Sequence, residues 1–188
     1  MRSRRLILAS ASPRRARILE ALGVPFQVRP AHVDETLLPD EDPIAAVRRL
    51  AKLKAGTIVR RPGECVLAAD TIVVLGSRIL NKPRDRAEAR SMLRSLSGRP
   101  HVVATGVALA WGTRMATSVD KTEVRFRRID ENEIARYVRT GEPLDKAGAY
   151  HIEGGGAAFI ESITGSPSNV AGLSITTARR LLQRAGVI

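Results

Sequence analysis

The sequence predicts a mixed α/β fold, in which helices flank a mixed β-sheet. Short apolar runs rich in β-branched residues, typical of buried strands, alternate with segments whose apolar residues recur every three or four positions, as in helices. Two pairs of predicted strands are separated only by Gly76-Ser77 and by Gly112-Thr113, which indicates hairpins in addition to helical crossovers. The 188 residues suit a single domain, 1–188, with one lobe or two.

Composition limits the class of protein and its compartment. Hydrophobic residues make up 44% of the chain and charged residues 27%, as in soluble globular proteins. Because Cys65 is the single cysteine, an internal disulfide and a multi-cysteine zinc site are excluded, and a reducing cytoplasm is favoured. No apolar stretch approaches the roughly 18 residues of a membrane span. We therefore expect a cytoplasmic protein with no membrane partner.

The net charge of +12 indicates anionic partners. A field of this sign attracts nucleic acid or small phosphorylated ligands, and a GC-rich genome that favours Arg over Lys gives the same bias. Charge alone therefore does not choose between these explanations. The aromatic content of only 3% argues against a surface that stacks the bases of single-stranded nucleic acid.

The first predicted elements form a candidate anion site. Leu6–Ala9 is predicted to be a buried strand that leads into a helix over Pro13–Leu22, with Ser12 as the N-cap. A strand that enters a helix through small residues leaves backbone N–H groups directed at an anion. The polar side chains beside them are Ser10, Ser12, Arg14 and Arg15. The alternative is a plain helix cap with two solvated arginines.

A second helix is predicted to begin at Asp42-Pro43, after the strand Val24–Val28 and the polar loop His32–Thr36. Its apolar residues recur at steps of three and four on one face, namely Ile44, Val47, Ala51, Ala55 and Ile58. Lys54 flanks that face. Its alkyl chain either covers apolar surface while the ammonium stays in water, or the whole side chain points into a cleft.

Asp70 is the residue that most needs an explanation. It lies in the middle of the apolar run Val66–Val74, which is predicted to be a buried strand. An unpaired charge there costs several kcal/mol, so the carboxylate needs a cation, a hydrogen-bonding network or a strand end that opens on a cleft. Lys82 follows the predicted hairpin and can return to the same neighbourhood. The alternative is an ordinary strand-end Asp with a surface Lys.

The second half of the chain continues the mixed pattern. Asp85 and Asp130 are predicted helix N-caps, each followed three residues later by a Glu in a capping-box arrangement. Between the two helices, His101–Trp111 and Arg114–Arg127 are predicted strands. The second of these alternates apolar and polar residues, so we expect it to be half buried and to pair antiparallel with the first.

The last third is rich in glycine. Gly141–Tyr150 carries two acids and a Lys among glycines, which is too polar and too interrupted for a core element. Gly154–Gly156 permits a close approach of the backbone to a ligand or another strand. Ala157–Ile160 is predicted to be a strand, Gly165–Asn169 a loop, and Ile175–Ala185 the final helix.

The polar residues that the predicted core leaves unexplained form a cation-rich set with several carboxylates. They are Ser10, Ser12, Arg14, Arg15, Glu35, Lys54, Asp70, Lys82, Glu142, Asp145 and Lys146. Phosphoanhydride hydrolysis needs such a set, because cations and helix N–H groups neutralise phosphates, carboxylates hold a divalent metal and one base orients water. The Walker phosphate-loop motif is absent, and no His or Cys cluster suits zinc.

Several strings of the sequence, in order over nearly the whole chain, resemble the Maf family of nucleoside triphosphate pyrophosphatases. The strings are Leu8–Arg15, Ala69–Thr71, Lys82-Pro83, Leu96–Gly98, Glu142–Tyr150 and Gly172-Leu173. The resemblance implies two lobes around a central cleft, a fold similar to inosine triphosphate pyrophosphatases, and a homodimer. It also implies cleavage of a nucleoside triphosphate to the monophosphate and pyrophosphate with a divalent metal cation, Mg²⁺ or Mn²⁺.

The resemblance also assigns roles by position. Asp70 corresponds to the catalytic acid of the family, with Glu35, Lys54 and Lys82 at supporting charged positions. Asp70 and Glu35 are the expected metal ligands. The expected substrate-binding residues are Ser10, Ser12, Arg14, Arg15, Thr71, Asp145, Lys146 and Glu153, of which Arg14, Thr71 and Glu153 fall at base-selecting positions.

Glu153 departs from the pattern of the dTTP/UTP branch, which has a Gln at that position. The methylated-GTP branch has an acid there but a Gln where this chain has Thr71, and lacks the Asp-Lys-Ala-Gly string. We expect dTTP and UTP to be substrates, and guanine nucleotides to be hydrolysed better relative to them than in the dTTP/UTP branch. The alternatives are a methylated-GTP-type pyrophosphatase, a phosphatase that removes only the terminal phosphate, and a non-enzymatic nucleic-acid-binding or septum-regulating protein.

Overall fold

The computed structural model describes residues 4–188 and confirms the mixed α/β fold. The seven strands form one sheet with the order β2-β1-β3-β5-β6-β7, and β4 pairs with β3. The strands are β1 (Arg5–Leu8), β2 (Phe26–Val28), β3 (Glu64–Leu75), β4 (Arg78–Leu80), β5 (Pro100–Trp111), β6 (Arg114–Phe126) and β7 (Ile160–Thr164). The α-helices are α1 (Pro13–Ala21), α2 (Pro43–Thr57), α3 (Arg86–Leu96), α4 (Glu131–Arg139), α5 (Pro167–Val170) and α6 (Ile175–Arg184).

The chain divides into two compact units, and the long strands β3, β5 and β6 contribute residues to both. The first unit comprises the described part of Met1–Asp70, together with Thr105–Asp120 and Gly172–Ile188. The second comprises Thr71–Ala104 and Lys121–Ala171. No helix within residues 4–188 combines the length and the apolar character that a membrane span requires.

In the first unit, β1 pairs in parallel with β2 on one side and with β3 on the other. Helix α2 packs on these strands through small residues, and one buried cluster consists of Ile7, Ala9, Ala51, Ala55, Val66, Ala68, Ala108 and Ala110. Gly106 of β5 shows how closely α2 approaches, because an added Cβ would lie 2.2 Å from the carbonyl oxygen of Val47. The alanine-rich contact therefore brings the backbone of α2, and the side chains at its C-terminal end, close to the sheet.

The core of the second unit contains most of the aromatic residues. Strands β3 and β4 form the predicted hairpin, and β6 pairs antiparallel with β7. Phe126 packs edge-on against Tyr150 and His101, with ring centroids 4.9 Å apart in each case. His101 is 2% exposed and its Nε2 lies 3.0 Å from the hydroxyl of Tyr150. Burial lowers the pKa of His101 to about 4, so the imidazole is neutral in the folded protein at neutral pH.

The predicted helix starts are confirmed by their caps. The side chains of Ser12, Asp42, Asp85 and Asp130 each accept a hydrogen bond from a backbone N–H of the first turn. The capping box is complete at Asp130, whereas at Asp85 the expected reciprocal bond is replaced. There the carboxylate of Glu88 accepts from the backbone N–H and the guanidinium of Arg84 instead.

Two predictions for the glycine-rich end are wrong. Gly155–Phe159 is a short 3-10 helix, and the strand predicted at Ala157–Ile160 begins only at Ile160 and continues to Thr164. The predicted loop after Gly165 contains the short helix α5, which Ser166 caps. Both errors arose because this segment has few residues with a strong helix or strand preference, so its tertiary contacts decide the backbone conformation.

Candidate active site

Asp70 and Lys54 form a buried ion pair in the first unit. Each residue is 6% exposed, and Lys54 Nζ lies 2.7 Å from Asp70 Oδ1. The same ammonium lies 2.7 Å from Oε2 of Glu35, whose side chain is 53% exposed. We call these three residues the lysine centre. Lys54 is therefore the cation that the buried carboxylate was predicted to need. Its ammonium nitrogen contacts both Asp70 and Glu35.

Helix α2 places the lysine centre. Leu50, Ala51 and Ala55 are fully or almost fully buried, and Lys54 lies on the same side of the helix. Of the two orientations left open by the sequence, the ammonium therefore points inward rather than into water. Lys54 also lies in the last turn of α2, where a cation interacts favourably with the C-terminal end of the helix dipole.

The loop between β1 and α1 carries the predicted anion-binding groups. Ser10 is 9% exposed, and its Oγ accepts from the backbone N–H of Ser12 at 3.2 Å and from the Arg15 guanidinium at 3.1 Å. Nε of Arg15 donates to the carbonyl oxygen of Gly172 at 2.8 Å. Arg15 therefore holds the loop in place as well as supplying charge. Arg14, beside it, is half buried.

The loop and the lysine centre share one electrostatic environment. Burial lowers the pKa of the Arg15 guanidinium, the charges of Asp70 and Glu35 raise it, and the neighbouring charge of Arg14 lowers it. The guanidinium keeps its charge, because an arginine does not lose its proton in proteins. Cations and carboxylates of the first unit therefore lie within electrostatic range of the N-terminus of α1, where a phosphate group is favoured.

Asp70 and Glu35 also fit a divalent metal by their chemistry. Mg²⁺ is usually bound through one or two carboxylates together with substrate phosphates, so two carboxylates on one centre are sufficient. Within residues 4–188, no group of three or more His, Cys, Asp or Glu side chains is arranged to hold a metal by itself. A metal between Asp70 and Glu35 would compete with the ammonium of Lys54 for the same oxygens.

The predicted site residues of the second unit lie on several segments of the chain. Lys82 is exposed after β4, and Thr71 is half buried within β3. Lys146 forms an ion pair with Asp145 and donates to the carbonyl oxygen of Glu142 at 3.4 Å. The Lys146 side chain is 11% exposed and that of Asp145 73% exposed, so the ammonium is sheltered while the carboxylate faces solvent.

Glu142 has a structural role that the sequence did not indicate. Its carboxylate accepts from the hydroxyl of Tyr137 at 2.8 Å and from the backbone N–H groups of Gly155 at 3.2 Å and Gly156 at 3.4 Å. An added Cβ at Gly154 would lie 2.6 Å from both of its oxygens. The close approach predicted for the three glycines was to a ligand or another strand, whereas the group that they approach is a carboxylate of the protein itself.

His151 is the residue that sequence reasoning missed. Its Nε2 lies 3.7 Å from Oε2 of Glu153, and its Nδ1 lies 3.8 Å from Oε1 of Glu142. Glu153 is exposed, with 47% of its side-chain surface accessible. The only signal in the sequence is a histidine two residues from one acid and nine from another, and periodicity gives no reason to bring the three together.

The protein is therefore of the mixed α/β class, with a seven-stranded sheet. Its buried lysine–carboxylate centre lies beside a helix N-terminus, which makes a polar site suited to phosphorylated ligands. Residues 5–185 match the family model described as Maf-like protein, and the chain belongs to the Maf family.

Two relatives and one solved structure extend the comparison. A dTTP/UTP pyrophosphatase of Anaeromyxobacter dehalogenans is 53% identical over 187 residues, which cover 97% of this chain and 94% of that protein. A dTTP/UTP pyrophosphatase of Myxococcus xanthus is 50% identical, with 97% and 93% covered. A HAM1 protein from Coxiella burnetii has 15% identity and a TM-score of 0.52 over 96% of this chain and 98% of that chain, a similarity of fold.

Proposed function

We propose that this protein is a nucleoside triphosphate pyrophosphatase that hydrolyses dTTP and UTP to the monophosphate and pyrophosphate. The observation that carries the proposal is the lysine centre, in which a buried Asp70 and the partly exposed Glu35 share one ammonium. Two dTTP/UTP pyrophosphatases that are about half identical to this chain over nearly its whole length support the same activity.

The residues of the first unit supply the main requirements of phosphoanhydride cleavage. Asp70 acts as general base and orients the attacking water, and its contact with Lys54 keeps the carboxylate in one position. The N-terminus of α1, with Ser10 and Ser12, binds phosphate oxygens. Arg14 and Arg15 offset the charge that develops on the phosphates during cleavage. We assign the same role to Lys82 and Lys146 and place Asp145 among the substrate-binding residues.

A divalent cation, Mg²⁺ or Mn²⁺, would be held by Asp70 and Glu35 together with the phosphates, and it would neutralise charge on the phosphates and activate water. The base would be selected by Arg14, Thr71 and Glu153, as the resemblance implies. We also propose, on the resemblance alone, that the protein is one domain of two lobes and that it works as a homodimer in the cytoplasm. Light scattering of the purified protein measures the oligomer.

The test is product analysis with the variant Asp70→Asn. The parent protein, incubated with UTP, dTTP and GTP in the presence of Mg²⁺ or Mn²⁺, should release pyrophosphate and the monophosphate. Asp70→Asn keeps the shape of the side chain and removes its charge, so turnover should fall by about 10²-fold or more. Glu20→Gln, at an exposed carboxylate of the same unit, is the matched control and should keep full activity.

Each alternative function gives a different result in the same assay. Release of inorganic phosphate and the diphosphate would identify a phosphatase that removes only the terminal phosphate. With methylated GTP added as a fourth substrate, a strong preference for it would identify a methylated-GTP-type pyrophosphatase. No hydrolysis of any nucleotide, together with binding of nucleic acid, would favour the non-enzymatic function. Turnover of Asp70→Asn within about threefold of the parent would remove Asp70 from the mechanism.

A further inference from the structure

The imidazole of His151 lies between two carboxylates of the second unit. Its two ring nitrogens face different partners, Nδ1 at 3.8 Å from Glu142 and Nε2 at 3.7 Å from Glu153. Both distances are within the range of an ion pair and longer than a hydrogen bond. The hydroxyl of Tyr137 also contacts the residue, since it accepts from the backbone N–H of His151 at 3.0 Å.

The two carboxylates differ in how firmly they are held. Glu142 accepts from Tyr137 and from two backbone N–H groups, and its side chain is 27% exposed. Burial raises the pKa of Glu142, but these hydrogen bonds and the charge of His151 outweigh that effect and lower it below its ordinary value. Glu153 is the more exposed of the two carboxylates. The imidazole therefore connects a fixed carboxylate to a more exposed one.

We propose that His151 is a positioning residue for Glu153, which orients that carboxylate and so favours uracil and thymine over guanine. The proposal rests on the proposed function, because it concerns the selection of the base by Glu153 during nucleotide hydrolysis.

The hydrogen-bonding edges of the bases explain the preference. Uracil and thymine present one N–H between two carbonyl oxygens, whereas guanine presents two adjacent donors that a carboxylate accepts in a bidentate manner. Oε2 of Glu153 faces the imidazole, which leaves at most one oxygen to accept from a base. One acceptor matches the single N–H of uracil.

The experiment measures kcat/KM for UTP and for GTP, by pyrophosphate release, in the parent and in His151→Ala, Glu153→Gln and the double variant. His151→Ala should lower the UTP-to-GTP ratio by about 10-fold, the scale of one unmatched polar contact. The change should fall on KM for the two nucleotides, with kcat little affected, because the lysine centre is intact. In the Glu153→Gln background the same substitution should leave the ratio unchanged.

Two controls separate positioning from a loss of folding. The thermal midpoint of each variant is measured, and His32→Ala, at an exposed histidine of the first unit, should not alter the ratio. His151→Gln keeps a donor beside Glu153 and should recover part of the preference for UTP. An unchanged ratio in His151→Ala, or an equal change in the Glu153→Gln background, would overturn the proposal.

Failure of the proposed function gives a different result. If the parent releases no pyrophosphate from any nucleotide, that function is wrong. Calorimetric titration with UMP and GMP then tests His151 directly, because selection of the base needs no cleavage. The UMP-to-GMP affinity ratio should be about 10-fold lower in His151→Ala than in the parent. The double variant should have the same ratio as Glu153→Gln. Equal ratios in the parent and His151→Ala would overturn the positioning role.

Discussion

The two units each contain a basic side chain that faces two carboxylates, but the two clusters differ in closeness and in exposure. In the lysine centre both oxygens lie 2.7 Å from Lys54 Nζ, and the ammonium and Asp70 are buried. Around His151 the separations are 3.7 and 3.8 Å, and the outer carboxylate, Glu153, is about half exposed. The first cluster is a tight ion pair in the core, and the second is a looser arrangement near the surface.

The difference shows how burial determines what a charged cluster can do. When the cation beside a buried carboxylate is removed, the uncompensated charge that remains has a high free-energy cost. The stability of the first unit therefore depends on the lysine centre. A half-exposed carboxylate remains solvated, and a change in its partner alters its orientation more than the stability. We therefore expect substitutions in the lysine centre to affect folding and turnover together, and substitutions at His151 to affect selectivity.

The largest expected effect is that of Lys54→Met. This variant leaves Asp70 buried without a cation and opposite the charge of Glu35, and removal of one partner of a buried pair costs about 3–5 kcal/mol. Urea unfolding of the parent and the variant measures the loss in the free energy of unfolding. The double variant Lys54→Met with Asp70→Asn should recover part of the loss, because no buried charge remains. A single variant as stable as the parent would show that Asp70 does not depend on Lys54.

A smaller effect is expected at His101, whose ring contacts Tyr150 and Phe126. Its pKa in the folded protein is about 4, below the ordinary value of 6.5, so the unfolded chain binds a proton at a higher pH than the folded protein does. This contribution to stability is complete above pH 6.5 and is lost as the pH falls from 6.5 to 4, by about 3 kcal/mol in total.

The measurement for His101 is urea unfolding at a series of pH values in the parent and in His101→Gln, which can still bond to Tyr150. The slope between pH 6.5 and 4 should be smaller in the variant. Hydrogen bonds from arginines lower the pKa values of Glu64 and Glu133 to about 2. These two residues therefore change the stability mainly between pH 4.5 and pH 2, below the range of His101. Equal slopes in the two proteins would contradict the assignment to His101.

The smallest stability effect is expected for Glu142→Gln. One oxygen of the carboxylate becomes an amide nitrogen, which cannot accept from the glycine N–H groups or from Tyr137, and an unmatched polar contact costs about 1–3 kcal/mol. Because the side chain is 27% exposed, we expect the lower end of that range. Thermal unfolding measures it, with the exposed Glu161→Gln of β7 as the control. An equal change in both variants would show that the bonds of Glu142 add nothing specific.

The comparison of the two clusters also separates what could be predicted from what could not. The isolated charge of Asp70 in an apolar strand indicated that it needs a cation, and Lys54 was a candidate because it flanks the apolar face of α2. The prediction left two orientations for Lys54, and packing of the alanine-rich face on the sheet decided between them. Glu142 and His151 gave no such signal, because they lie themselves in segments without apolar periodicity.

The sequence by itself determined the mixed α/β class, the helix starts at Ser12, Asp42, Asp85 and Asp130, the hairpin of β3 and β4, and the family. These features depend on neighbours along the chain: apolar periodicity, cap side chains and turn residues act within a few positions of each other. Only the tertiary structure decided which carboxylates share Lys54, that Gly154–Gly156 approach Glu142, and that His151 lies between two acids. Most of those contacts join residues from separate segments, and their geometry depends on the packing of helices and sheet, which no local pattern records.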